Sequence, residues 1–173
     1  PIAASVLCHL LRVGEAMALR DAITMESLAY STLLGGGEFA RWLAARKAAP
    51  PPLEAGPFVQ VTREGDDVTI RLARPAGRNP ICAGMRDALF EALAAVLDDP
   101  SMPRLRIEAL GSSFSTGGML AEFGTARDLA QAHAVRTLRS CAVLLDALGD
   151  RAEVVLHGAC VGSGIEIPAA AHR

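Results

Sequence analysis

Residues 153–167 read Glu153-Val154-Val155-Leu156-His157-Gly158-Ala159-Cys160-Val161-Gly162-Ser163-Gly164-Ile165-Glu166-Ile167. An apolar triplet (Val154, Val155, Leu156) is followed by a turn punctuated by Gly158, Gly162 and Gly164. A carboxylate, Glu166, then stands inside a second apolar run. The pattern predicts a buried strand that stops, a bend with bare backbone, and a helix whose first N–H groups lack intrahelical partners. Orphan donors of this kind, together with the helix dipole, favour negative charge. Glu166 comes early in that helix, within reach of whatever sits on those donors. Read alone, the segment serves equally well as a tight turn whose glycines let a helix pack on a strand.

Residues 111–120, Gly-Ser-Ser-Phe-Ser-Thr-Gly-Gly-Met-Leu, repeat the theme: an apolar stretch over 105–110, then small residues and paired glycines before a predicted helix. Two strand ends that each deliver a bare backbone N–H make a two-donor oxyanion hole. An acyl thioester needs that arrangement if its carbonyl oxygen is to become an enolate oxygen.

Three segments then fall in order along the chain. They are Val-Thr-Ile-Arg-Leu-Ala-Arg-Pro-Ala-Gly-Arg-Asn-Pro-Ile-Cys-Ala-Gly-Met at 68–85, Phe114-Ser115-Thr116-Gly117-Gly118, and the run from His157 to Glu166. Together they resemble the enoyl-CoA hydratase/isomerase, or crotonase, superfamily over residues 58–173. The resemblance implies an α/β fold of the crotonase (ClpP/crotonase) type, built from repeated β-β-α units. Here it would lack the C-terminal part and be preceded by a small helical extension. Residue by residue, it implies backbone oxyanion donors at Thr116 and Ser163 and a catalytic carboxylate at Glu166. Substrate or CoA contacts would come from Arg78, Pro80, Gly117, Gly118 and Gly162. Arg74 or Arg78 near a CoA phosphate is chemically sensible, because a guanidinium matches phosphate oxygens bidentately. The implied partner is an acyl-CoA thioester, with no cofactor other than the CoA that the substrate carries and no metal. The implied assembly is a homo-trimer or hexamer. Ser163 stands where the family has Gly, Met119 where it often has Asp, and His157 where it usually has Asn. The family's further strands and second catalytic acid would fall after Arg173.

Composition is consistent with this. At 173 residues one domain is the default, with ample chain for a core. A hydrophobic content of 51% is high, but no stretch reaches the length of a spanning helix, since Arg12, Glu15, Arg20 and Asp21 break the best candidate. The first residues do not read as a cleavable leader. A net charge of −2 with mixed signs argues against nucleic acid as the main partner. Cys8, Cys82, Cys141 and Cys160 are widely spaced, without a C-x-x-C pair, and form no metal-ligand cluster with the four histidines. They read as scattered thiols of a reducing, cytoplasmic compartment.

In chain order, residues 1–49 read as a helical extension, with Gly35-Gly36-Gly37 separating two helical pieces rather than cradling phosphate, since no Lys-Ser/Thr follows. The Pro-rich stretch 50–57 reads as a stiff linker, and 58–173 as the core. Alternation over 58–63 and 68–72 around Gly65 predicts a hairpin. Met85, Leu89, Leu93, Val96 and Leu97 form a helical stripe. Residues from 121 to Gly149 read as helix with Leu138, Cys141, Leu145 and Leu148 on one face. His133 reads as satisfied or solvent-facing, and His157 either lines the site or caps a strand.

The expected activity is therefore of the hydratase/isomerase type. Two alternatives stay open: a crotonase-fold enzyme of other chemistry (oxygenase, decarboxylase or thioesterase), and a non-catalytic scaffold that binds CoA.

Overall fold

Residues 59–72 alternate in exactly the sense a half-buried hairpin requires, and they form one in the computed structural model, which describes residues 1–46 and 55–173. Strands β1 (Val59–Glu64) and β2 (Asp67–Leu72) pair antiparallel from Val59↔Leu72 to Glu64↔Asp67. The connecting Gly65 takes φ +61° with open space around it. Helix α4 (Ala83–Asp98) then carries the chain to β3 (Arg104–Ala109), which lies parallel to β2, and β4 (Ala152–Val154) adds in parallel at the far side. The sheet order is β1-β2-β3-β4.

The period-2 pattern sorts the two faces. Val68, Ile70 and Leu72 of β2 and Leu105 and Ile107 of β3 point into the core, where they meet Met85, Leu89, Leu93 and Val96 of α4. Helix α6 (Cys141–Leu148) closes the same core with Cys141, Leu145 and Leu148. On the opposite face the register sets Arg71 beside Glu108, with Arg106 reaching both Glu108 and Glu153. Exposed pairs of this kind add little stability each. They keep that face of the sheet polar.

Residues 122–139 belong elsewhere. The chain divides into two compact units, and the first gathers the described residues of 1–49 with Glu122–Arg139. It consists of α1 (Ile2–Gly14), α2 (Leu19–Leu34), α3 (Gly37–Ala45) and α5 (Leu129–Leu138). The break between α1 and α2 was not legible in the sequence; Gly35 and Gly36, as expected, end α2 and start α3. Inside this unit, buried Ser27 of α2 receives Arg136 Nε at 3.0 Å and lies 2.9 Å from His133 Nδ1. His133 is thus satisfied. Burial lowers the Arg136 pKa and raises that of Tyr30, whose ring lies 4.9 Å from the guanidinium. Most of the expected linker at 50–57 lies outside the described residues.

One expectation needs correcting. The helix read through to Gly149 is two helices, because Ser140 caps a new start by accepting a hydrogen bond from Val143 N–H. The buried stripe is therefore Cys141, Leu145 and Leu148 alone, and Leu138 is 76% exposed. No helix among the described residues is long and apolar enough to cross a membrane.

Two outcomes follow from this packing. Leu145→Ala should cost about 2–5 kcal/mol in chemical denaturation, while Leu138→Ala should stay within about 0.5 kcal/mol. At the surface, Asp99 is held down to about 2 by hydrogen bonds from the Ser101 side chain and backbone and then by Arg63. A depressed carboxylate stabilises the fold above its unfolded value and loses that contribution as pH falls. Acid titration of Asp99→Asn should accordingly show a shallower stability loss than wild type between about pH 4 and the folded value near 2.

Candidate active site

Both glycine-rich bends form, and they lie against each other. Phe114 N–H donates to His157 O at 2.8 Å, Ser115 N–H to Ala159 O at 3.1 Å, and Val161 N–H back to Ser115 O at 3.1 Å. The His157 ring bridges the same gap, with Nε2 3.0 Å from Gly111 O. His157 is thus engaged in holding the bends.

Two glycines make the approach possible. At Gly117 (φ +83°) an added Cβ would sit 2.4 Å from Val161 O, and at Gly164 it would sit 2.6 Å from Ser115 O. Both are distances that real Cβ contacts essentially never show, and the obstacle in each case is backbone. Any side chain here would pry the bends apart.

A third loop is stitched to the first bend by Asn79, which is fully buried and in the left-handed region (φ +51°). Its amide donates to Leu110 O at 2.8 Å and Ser113 O at 3.0 Å, and its Oδ1 accepts from Arg74 N–H at 2.8 Å. Ser115 Oγ donates to Asn79 O at 2.7 Å. The sequence pointed to Asn79 only as part of a motif; its joining role depends on partners more than thirty residues away.

One expected oxyanion donor is already engaged. Thr116 N–H already donates to Arg78 O at 3.1 Å, so it does not face an incoming oxygen. Gly117 N–H goes to Ser115 Oγ and Met119 N–H to Ile81 O. Among the amides of residues 114–119, Gly118 N–H is the one that makes no hydrogen bond among the described residues; Ser112 and Ser113 N–H, earlier in the bend, make none either. In the second bend Val161, Gly164, Ile165 and Glu166 N–H groups are used, whereas Ser163 N–H, like those of Cys160 and Gly162, has no partner among the described residues. Nothing in the local sequence separates Thr116 from Gly118, because the choice is fixed by distant Arg78 and Ile81.

The remaining expected residues divide by environment. Arg74 is committed to structure: its guanidinium donates to Gly56, Pro57 and Ala73 carbonyls and stacks 4.2 Å over Phe58. Arg78 is exposed at φ +59°, and its guanidinium makes no hydrogen bond among the described residues. Pro80 is half-buried beside it, and Gly162 caps α7 (Ser163–Glu166) at φ +51°. Glu166 is exposed, in the last position of that single turn. Met119 packs against the core instead of facing a polar loop.

Ser163 adds a feature the sequence did not signal. Its hydroxyl oxygen is buried with no hydrogen-bond partner, and it borders a small void whose other lining side chains are all apolar. An unsatisfied buried hydroxyl costs about 1–3 kcal/mol. No group of three or more potential metal ligands occurs among the described residues.

Solved structures share this architecture. An enoyl-CoA hydratase/carnithine racemase from Magnetospirillum magneticum superposes with TM-score 0.60 at 25% identity, covering 68% of this chain and 45% of that one. The fold is the crotonase fold. A provisionally named enoyl-CoA hydratase/carnithine racemase from Magnetospirillum magneticum AMB-1 gives 0.55 at 28% identity, with 68% and 45% covered. A provisionally named enoyl-CoA hydratase/isomerase from Mycobacterium abscessus gives 0.53 at 26%, with 66% and 46% covered. The chain thus spans just under half the length of these structures. No protein-family model matches the chain, and no curated protein does either.

The interlock predicts a sharp contrast. Gly164→Ala should cost several kcal/mol or prevent folding of this unit, on the order of the largest single-site effects. Gly65→Ala, with the same added methyl in open space, should cost only about 1 kcal/mol for its positive φ. Denaturant midpoints of the two variants make the comparison.

Proposed function

We propose that the chain carries an acyl-CoA site of the enoyl-CoA hydratase/isomerase type. The observation that supports it is the pair of unengaged backbone donors, Gly118 N–H and Ser163 N–H, on two bends locked to each other, with Glu166 three residues beyond Ser163. The thioester carbonyl oxygen would accept from both. As charge moves onto that oxygen the α-carbon becomes acidic, and fixed donors stabilise the enolate without reorganising. Glu166 would take the α-proton and return it at another carbon.

One carboxylate suffices for such an isomerisation. Hydration across a double bond needs a second group to activate water. Arg78, the loop's uncommitted guanidinium, would meet a phosphate of CoA, with Pro80, Gly117 and Gly162 shaping the approach. The chemistry is carried by CoA and main-chain donors and calls on no other cofactor. Leu120, Val161 and Ile165, exposed apolar side chains on and beside the bends, would be covered by the acyl chain or by a neighbouring copy in a trimer or hexamer.

The exposure of Glu166 favours a second reading, a CoA-binding chain without catalysis. A panel of enoyl-CoA thioesters separates the two. Wild type should turn over at least one, and Glu166→Gln should lose roughly a hundredfold or more in kcat with binding retained. Full activity in Glu166→Gln would remove Glu166 from the mechanism; CoA binding without turnover in wild type would establish the scaffold.

A further inference from the structure

Ser163 holds two unpaired donors on one residue. Among the described residues its N–H has no partner, and neither does its hydroxyl oxygen, which is buried although the residue itself is only half-buried. The void it borders is walled by Ile81, Phe114, Leu145, Val154 and other apolar side chains, with Ser163 the only polar one among the described residues. About 10 Å³ is open there to a water-sized sphere. That is the lower limit for one water, and a water would find a single polar side chain where it needs roughly two to four partners.

N and Oγ of one serine are separated by three bonds. An acceptor seated on the N–H falls within reach of the hydroxyl in one of the three staggered χ1 positions. We propose that Ser163 supplies a third, switching donor to the thioester oxygen. Its hydroxyl is parked in the apolar void while the site is empty and turns about χ1 onto the oxygen when an acyl-CoA binds. The proposal rests on the acyl-CoA reading above and adds a side chain to its two backbone donors. Leaving the void ends the burial of an unsatisfied polar group. Arriving at the oxygen makes a charge-assisted hydrogen bond that strengthens as the enolate forms. Because the gain is larger in the enolate than in the thioester, it falls on kcat more than on KM.

The test uses the whole chain and three proteins: wild type, Ser163→Ala and Ser163→Thr. All three keep the residue-163 N–H. Thermal melting is measured alongside two probes, acetoacetyl-CoA, whose enolate is followed by its ultraviolet absorbance, and a 3-enoyl-CoA, followed by its isomerisation to the conjugated 2-enoyl thioester. Ser163→Ala should melt about 2–4 °C higher than wild type, since it removes the unpaired hydroxyl. It should also lose roughly tenfold or more in enolate formation and kcat, with KM little changed. Ser163→Thr, which keeps the hydroxyl, should retain most of both activities. Unchanged enolate formation and kcat in Ser163→Ala would overturn the proposal while leaving the backbone-donor reading intact. Melting of Ser163→Ala at or below wild type would overturn it too, by showing the hydroxyl to be satisfied. A wild type that binds neither thioester ends both readings together.

Discussion

The site depends on one short backbone exchange: Ser115 N–H to Ala159 O and Val161 N–H to Ser115 O. Through these two bonds, bends separated by more than forty residues become a single wall. Each bond alone contributes about 1 kcal/mol net. Their effect is greater than that figure because they fix the register in which Gly117 and Gly164 pass with no room for a Cβ. Once that register is set, the amides of Thr116, Gly117 and Met119 find partners in Arg78, Ser115 and Ile81, and Gly118 between them finds none among the described residues.

The sheet explains why the wall stands where it does. β2, β3 and β4 run parallel, so the chain leaves β3 and β4 at the same end, and both bends follow directly. Core packing of α4 and α6 on one face fixes those strands, while ion pairs cover the other. Asn79 then ties the loop after β2 to the first bend with side-chain bonds that water cannot contest, since the residue is fully buried. Three strand exits thus converge on one small region. Rigidity there is what an oxyanion site requires, because donors that must reorganise during reaction stabilise charge less well.

Much of this was legible in the sequence, for identifiable reasons. The hairpin announced itself through alternation around Gly65, and both bends through glycines following apolar runs. The core stripe of α4 was visible at helical spacing. The fate of residues 122–139 was not visible, because the apolar residues of α5 do not say which surface they will meet. The Ser140 cap is masked in the sequence because the apolar stripe through Cys141 extends back to Leu138 at helical spacing. The sequence does not tell Thr116 from Gly118 as the unengaged amide, because backbone partnering is decided by loops distant in sequence. The orphaned Ser163 hydroxyl lay beyond reach for the same reason: burial is a property of the neighbours that surround it.

The central claim is that these bends present two amides to one oxygen. A crystal structure of the chain with a bound acyl-CoA tests it most directly. The account predicts a thioester oxygen about 2.7–3.1 Å from both the Gly118 and the Ser163 nitrogens. An oxygen bound at Thr116 instead, or one touching only a single bend, would contradict it.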